Sequence, residues 1–163
     1  MSVHDFDGLS GKFKRFGEEG MNRILRNIAE SVAETLLNNI SDEITRQDLI
    51  NSGVMRNSFS RGDENGLWEW DVDRNAIVLE LGSNLPYARY LNEGYTIHKP
   101  YFVPGKWKNG KFEYDPDEND GFMAKPRTFI GRHYFDIAVK KLEGGINELI
   151  LERLEIELRR VFS

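Results

Sequence analysis

Residues 67–81 have the sequence LWEWDVDRNAIVLEL, and this stretch decides the fold class. From Trp68 to Val72, apolar residues alternate with acidic ones, which is the two-residue period of a strand with one buried face. The turn-forming tripeptide Asp73-Arg74-Asn75 follows, and residues 76–81 have the composition of a returning strand. The stretch is therefore predicted to be an antiparallel β-hairpin.

Helices are predicted on both sides of this hairpin. Upstream, apolar residues recur every three or four positions over about six turns, at Met21, Ile24, Leu25, Ile28, Val32, Leu36, Leu37, Ile40 and Ile44. Gly17 and Gly20 are expected to mark the start, because glycine weakens a helix by up to about 1 kcal/mol relative to alanine. Downstream, a similar pattern extends from Phe129 to Val161 and is interrupted by Gly144-Gly145, which is expected to kink or split the helix.

A second hairpin is predicted around Asn109-Gly110, a dipeptide that tolerates the positive φ angles of a type I′ turn. Lysines alternate with aromatic residues on both of its arms. The loop that follows, residues 115–121, is acidic and contains no apolar residue. We expect this acidic loop to be mobile or to become ordered only against a partner.

Together these elements predict a single α+β domain over residues 1–163. In this fold a small antiparallel sheet packs against a long N-terminal helix and a long C-terminal helix. Residues 1–16 are expected to form a flexible arm, and residues 97–124 a protruding β-hairpin insertion. A chain of 163 residues is long enough to close one hydrophobic core.

Composition excludes several classes of protein. The chain has no cysteine, which removes disulfides, thiolate metal sites and cysteine nucleophiles. Its net charge of −5 argues against a broad basic face that binds nucleic acid. No apolar run reaches the roughly 20 residues that a membrane span needs, and the N-terminus does not resemble a secretory signal. The protein is expected to act in the compartment where it is made.

No catalytic, cofactor-binding or metal-binding residue is predicted. His4, His98 and His133 are too scattered to form a zinc site. Asp115 and Asp117 lie at the alternate spacing of a calcium loop, but Pro116 intrudes and no glutamate occupies the closing position. The sequence contains neither a phosphate-binding glycine loop nor a serine nucleophile elbow. The expected protein is therefore not an enzyme and uses no cofactor.

The lysine–aromatic hairpin is the best candidate for a binding surface. Its aromatic rings could stack on bases while its lysines meet phosphates, or the rings could dock on a protein. The overall acidity and the neighbouring acidic loop favour a protein interface. The candidate interface residues are Trp107, Phe112, Tyr114, Asp115 and Asp117.

Three short segments occur in a fixed order: residues 52–58 (SGVMRNS), residues 85–96 (LPYARYLNEGYT) and residues 125–130 (KPRTFI). This arrangement resembles the tail-completion, or head–tail joining, family of long-tailed phages and prophages. Members have a Thr-Gly-x-Leu-Arg-x-Ser element, a Pro-Tyr-Ala element leading to Glu-x-Gly-Thr, and a Pro-x-Arg-Pro-Phe element. The matching residues, expected to have structural roles, are Gly53, Arg56, Pro86, Tyr87, Glu93, Gly94, Pro126 and Phe129.

The sequence departs from the family pattern at four positions. Ser52 and Met55 stand where threonine and leucine are usual, Tyr95 precedes Thr96, and Thr128 replaces the second proline. Opposite charges also suggest that Arg56 pairs with Glu93, which would tie the first segment to the second.

The resemblance implies a structural virion protein in the tail or neck, present in the bacterial host cytoplasm during assembly. It implies a ring, expected to be a hexamer, that joins tail to head around the DNA channel. Expected partners are neighbouring neck proteins, the tail tube or tail terminator, and passing DNA that is not read in a sequence-specific way. Two alternatives remain open: a small phage hydrolase or nuclease that uses a metal with Asp71 or Asp73, and a host-directed protein-binding module.

Overall fold

A computed structural model describes the backbone of residues 3–73 and 76–162, and the side chains of residues 17, 20–71 and 78–161. Contacts divide the chain into two units. The first unit comprises Met1–Ala88 and His133–Ser163, and the second comprises Arg89–Arg132. The second unit includes the predicted insertion and extends beyond it at both ends. The prediction of a single domain stays a prediction.

The first unit is mainly helical. It contains helix α1 (Val3–Arg46), helix α2 (Val54–Asn57), the strands β1 (Gly66–Asp73) and β2 (Ala76–Ser83), helix α4 (Tyr134–Glu143), helix α5 (Ile146–Phe162) and the start of helix α3 (Pro86–Glu93). Helix α1 is broken at Gly17, where φ is 39° and ψ is −160°. Glycine was expected to mark the start of the helix here, whereas the helix continues beyond the break to Val3. The prediction that residues 1–16 form a flexible arm stays a prediction.

The second unit consists of short antiparallel strands. They are β3 (Gly94–Ile97), β4 (Tyr101–Lys108), β5 (Lys111–Tyr114), β6 (Gly121–Ala124) and β7 (Arg127–Ile130). Strand β3 pairs with β7, and a three-stranded sheet has the order β5-β4-β6. Together with the helices of the first unit, these strands confirm an α+β fold. The described strands form three small sheets, whereas one sheet was predicted.

Both predicted hairpins are confirmed. In the first, Trp68 pairs with Leu81 and Asp73 with Ala76. In the second, Trp107 pairs with Phe112, and the turn residues Asn109 and Gly110 have φ angles of 50° and 79°. Positive φ at both turn positions is the signature of the expected type I′ turn.

The C-terminal helix begins later than predicted. Phe129 lies in β7, and α4 starts at Tyr134. Cross-strand packing explains the difference, because the ring of Phe129 stacks on Tyr95 of β3 at 4.4 Å and the Thr96 and Thr128 hydroxyl oxygens lie 3.1 Å apart. The expected split at Gly144-Gly145 is confirmed, since α4 ends at Glu143 and α5 begins at Ile146.

The described hydrophobic core lies in the first unit, where α1 packs against α4, α5 and β2. Its buried apolar residues are Ile24, Ile28, Ala33, Leu37, Ile40, Ile44, Met55, Phe59, Ala88, Tyr134, Ala138 and Leu142. The predicted apolar stripe of α1 is only partly covered. Met21 and Leu25 are each 45% exposed, although the sequence pattern places them with the buried residues.

Candidate assembly surfaces

A buried hydroxyl pair joins the first motif segment to the second. The Ser58 side chain is 1% exposed, and its Oγ donates to the Met55 carbonyl oxygen at 2.7 Å. The Ser83 Oγ lies 2.7 Å from the Ser58 Oγ and accepts from the Leu85 N–H at 3.3 Å. Because Ser58 gives its proton to Met55, the Ser83 hydroxyl donates to Ser58. The pair fixes α2 against the end of β2, just before α3 begins.

A buried tyrosine joins α3 to α4. Tyr134 is 2% exposed, and its hydroxyl donates to the Ala88 carbonyl oxygen at 2.9 Å. Burial raises the pKa of Tyr134 to about 12, with a smaller contribution from Tyr87. The Phe59 ring meets the Tyr134 ring edge-on, with centroids 6.0 Å apart. The start of α3, up to Ala88, is therefore held to the start of α4 within the first unit.

Two glycines let backbone segments pack closely in the second unit. Gly94 has a φ of 79°, and a Cβ there would lie 2.4 Å from the Phe129 carbonyl oxygen. A Cβ at Gly131 would lie 2.4 Å from the Asn92 carbonyl oxygen. The nearby Arg132 N–H donates to the Leu91 carbonyl oxygen at 2.8 Å. Any side chain at either glycine would push the end of α3 away from β7.

The other motif residues occupy element ends. Gly53 precedes α2 with a φ of 82° and open space around it, so its conformation explains glycine there and crowding does not. Pro86 is the first residue of α3, where its missing N–H costs nothing. Pro126 is exposed between β6 and β7.

The side chains of the remaining motif residues have mixed surroundings. Tyr87 is 43% exposed, and Arg56 is half-buried in α2. The Glu93 carboxylate accepts from the Arg89 Nε at 2.9 Å. The proposed pair of Arg56 and Glu93 joins residues of different units and stays a prediction.

Sequence reasoning missed three of these contacts. Nothing local marks Ser83 as the partner of Ser58, because the two residues are 25 positions apart. Tyr134 was placed in an apolar helical pattern, and a buried tyrosine there signals a partner for its hydroxyl. Gly131 directly follows the third segment, and a glycine beside a strand often marks close backbone approach.

Three candidate interface residues, Trp107, Phe112 and Tyr114, form an aromatic surface together with Phe122, which was not predicted. The Phe112 ring meets Trp107 at 5.4 Å and Phe122 at 4.8 Å, both edge-on. Phe112 also covers Gly105, where a Cβ would lie 2.7 Å from the Phe112 ring. Trp107 is 67% exposed and Tyr114 is 66% exposed. The half-buried Phe112 ring therefore connects Trp107 and Phe122, while Trp107 and Tyr114 face outward.

Two of the hairpin lysines, Lys106 and Lys108, are paired with acids of the same unit. The Lys108 Nζ lies 2.7 Å from the Glu113 Oε2, and Lys106 forms an ion pair with Glu118. Hydrogen bonds to these carboxylates raise the pKa of both lysines, and the bond from Lys106 lowers the pKa of Glu118. These lysines are engaged by neighbouring carboxylates, so phosphate would have to compete for them. The pairing favours a protein contact over a nucleic-acid contact.

The acidic loop, expected to need a partner for its order, makes its own contacts. The Asp117 N–H donates to the Asp115 Oδ1 at 3.1 Å, and the Asn119 N–H donates to the Glu118 Oε1 at 3.0 Å. Both aspartates are exposed. The loop is closed by side-chain bonds to its own backbone and presents negative charge beside the aromatic surface.

A second aromatic group lies on strands β3 and β7. Tyr95 contacts Tyr90 at 5.6 Å and stacks on Phe129 at 4.4 Å, while the Arg127 guanidinium lies 4.2 Å from the Phe129 ring centre. Ile130, at the end of β7, is 87% exposed. The second unit therefore offers apolar side chains from both of its sheets.

Burial is nearly absent from the second unit. Every residue of 89–132 is described, and of these only Gly105 is buried. Nine large apolar side chains of the unit are exposed: Tyr90, Tyr95, Tyr101, Phe102, Trp107, Tyr114, Phe122, Met123 and Ile130. Exposed apolar groups at this density are typical of interaction surfaces.

The described residues include neither a metal-binding cluster nor a membrane-spanning helix. Within that part of the chain, no three residues of the metal-binding types lie close enough to hold an ion. No helix in the described part is long and apolar enough to cross a membrane.

Comparisons with known proteins agree with the three-segment resemblance. Residues 7–94 match the family model described as "Bacteriophage HK97-gp10, putative tail-component". The chain is 32% identical to the "Uncharacterized protein YqbI" of Bacillus subtilis (strain 168), over 98% of this chain and 96% of that protein. It is 28% identical to the "Phage-like element PBSX protein XkdI" of the same organism, over 98% of this chain and 97% of that protein.

No solved structure matches the chain. The family match covers more than half of the chain and includes the first motif segment and residues 85–94 of the second. This chain therefore belongs to the HK97-gp10-like family of bacteriophage tail components, found in phages and prophage elements.

Proposed function

We propose that this tail component completes the phage tail or neck and joins the tail to the head as a subunit of a ring around the DNA channel. The observation that carries the proposal is the second unit, which exposes nine large apolar side chains and buries almost none. A protein that acted alone in water would leave this surface without a use. In the assembly, a neighbouring subunit covers this surface.

A ring of identical subunits needs two different complementary patches on each subunit. The aromatic surface is one such patch, since aromatic rings with few rotatable bonds supply much of the affinity of protein interfaces. The exposed Asp115 and Asp117 beside it supply a polar rim that sets orientation. We expect six subunits, with neck proteins and the tail tube or tail terminator as neighbours.

The charge of the chain suits a DNA conduit. Its net charge is −5, and Lys108 and Lys106 of the hairpin are engaged by Glu113 and Glu118, respectively. A surface that lets DNA pass must not hold phosphates tightly, because each phosphate contact adds affinity that slows sliding. This chemistry supports passage of DNA without sequence-specific binding.

The test is complementation of a phage or prophage that lacks the gene, using Trp107→Ser with Tyr114→Ser. Both side chains are mostly exposed, so the variant should fold normally. If each ring contributes about 2 kcal/mol to the contact, the loss of both should reduce the yield of joined particles by more than about tenfold. Electron microscopy would count joined particles, free heads and free tails.

A matched control is Leu151→Ser on α5, which removes a side chain of similar exposure (65%) from the first unit. This control should join heads to tails at the normal frequency. If the Trp107 and Tyr114 variant also gives joined particles at the normal frequency, the aromatic surface is not the assembly contact.

A further inference from the structure

An open apolar groove of about 590 Å³ lies in the first unit. Its walls come from α1 between Leu25 and Leu36, from β2 between Leu79 and Leu81, and from α4 and α5 between Phe135 and Ile150. Of the described residues that line it, Glu80 alone is charged. A groove of this size and composition would expose a large apolar area if it stayed empty.

The sequence of α1 is patterned for burial along this groove. Val32 and Leu36 are half-buried and Leu25 is 45% exposed, although all three belong to the same helical stripe as the buried Ile28 and Ile40. The stripe is therefore wider than the surface that α4, α5 and β2 cover. Another apolar element is needed to complete it.

The residues before Gly17 have the sequence of such an element. Phe6, Leu9, Phe13 and Phe16 are spaced by three, four and three positions, which is the spacing of one apolar face of a helix. A benzene-sized ring needs about 150 Å³ of cavity, so 590 Å³ corresponds to about four such groups. The number and type of these side chains fit the groove.

The geometry of α1 favours a second copy as the source of this segment. The groove begins at Leu25, eight residues after Gly17, and extends along α1 for about 16 Å at 1.5 Å per residue. To reach its own groove, the segment before Gly17 would have to turn back along the same helix. A helical hairpin takes a loop of about two to five residues, whereas only Gly17 is non-helical within α1.

We propose that residues 3–16 of one subunit dock in the apolar groove of a second copy of this chain. The exchange of a terminal segment links neighbouring subunits without requiring the helix after Gly17 to unwind. This proposal rests on the ring proposed above and deepens it, because it names one of the two contacts between subunits. It makes no use of the aromatic surface.

Cysteine cross-linking of the full-length chain tests the proposal, because the native sequence contains no cysteine. A tagged Phe13→Cys variant is mixed with an untagged Ile150→Cys variant and oxidised, and the mixed dimer is measured on a non-reducing gel. Docking raises the local concentration of the two thiols from micromolar to millimolar, so the mixed dimer should form at least about tenfold more than in controls.

The matched control replaces Ile150→Cys with Leu151→Cys, which lies one residue further along α5 and is not part of the groove. A second groove variant, Val139→Cys, covers the case in which the change at Ile150 disturbs folding. Yields at the control level from both groove variants would overturn the proposal.

A chain that carries both Phe13→Cys and Ile150→Cys distinguishes the alternative occupant. If it forms only an intramolecular cross-link and the mixed dimer stays at the control level, the segment occupies its own groove and the proposal is wrong. Either outcome leaves the head–tail joining function open, because that function is judged by the particle count of the aromatic variants.

Discussion

Among the described side chains of the first unit twelve apolar ones are buried, whereas in the second unit only Gly105 is buried among residues 89–132. The first unit is held by side-chain packing around α1, in the manner of an ordinary hydrophobic core. The second unit is held by strand pairing, ring contacts such as Phe112 with Phe122, and ion pairs. Its 44 residues, 89–132, are close to the size below which a core seldom suffices.

This difference assigns separate roles to the two units. A unit with a buried core keeps its structure in isolation, while a unit with exposed rings gains stability when a neighbour covers them. Changes in the core of the first unit should therefore affect folding. Changes on the surface of the second unit should affect assembly.

The largest expected effect is on the core. Ile40 is fully buried, so Ile40→Ala should lower the free energy of unfolding by about 2–5 kcal/mol. Trp107→Ala removes a larger side chain that is 67% exposed and should change the free energy of unfolding by less than about 1 kcal/mol. Urea denaturation of both variants checks this contrast. Equal losses would mean that the second unit contributes a core of its own.

A smaller effect is expected from Gly94→Ala, which places a Cβ 2.4 Å from the Phe129 carbonyl oxygen at a φ of 79°. We expect the free energy of unfolding to fall by about 1–3 kcal/mol and hydrogen exchange in β3 and β7 to become faster. Gly110→Ala is the control, because Gly110 has the same φ of 79° with nothing within 4 Å of the added atom. If the two variants exchange alike, backbone crowding does not hold β3 to β7.

The smallest effect concerns Glu43 at the end of α1, which is 8% exposed. A hydrogen bond from Arg46 lowers the pKa of Glu43 to about 2, and a second bond from Gln47 at 2.7 Å adds to the shift. A carboxylate with a depressed folded-state pKa stabilises the fold above its ordinary pKa of 4.5, and this contribution is lost as the pH falls towards about 2.

Glu43→Gln should therefore lower the free energy of unfolding by about 1 kcal/mol at pH 7, given the exposed Arg46 partner, and should remove the Glu43 contribution to the acid-induced loss between pH 4.5 and 2. The midpoint of urea unfolding, measured across this pH range for both proteins, gives the comparison. An unchanged slope in the variant would assign the acid sensitivity to other carboxylates.

Local signals predicted the long helices and the hairpin of the first unit and the hairpin of the second, but not the short helix α2. The alternation from Trp68 to Val72 specifies a strand, and the dipeptide Asn109-Gly110 specifies a turn. Each of these signals depends on residues that are close in sequence. The glycine pair at 144–145 predicted the division of the last helix for the same reason.

Contacts between distant residues were beyond the sequence pattern. Phe129 fits a helical period, yet it pairs with Tyr95 across strands, and 34 positions separate them (129 − 95 = 34). The contact of Tyr134 with Ala88 spans 46 positions and likewise leaves no local trace. The candidate surface residues Trp107 and Tyr114 were predicted, but their exposure depends on which elements cover them, and only the tertiary structure shows this.

The central claim is that the second unit is covered in the assembled tail and exposed in the free chain. Hydrogen exchange measured by mass spectrometry on the free protein and on purified phage tails tests it most directly. We predict that peptides from residues 101–124, which contain the aromatic surface, exchange much more slowly in tails, while peptides from the core helix between Ile24 and Ile44 change little. Equal exchange of residues 101–124 in the two samples would contradict the account.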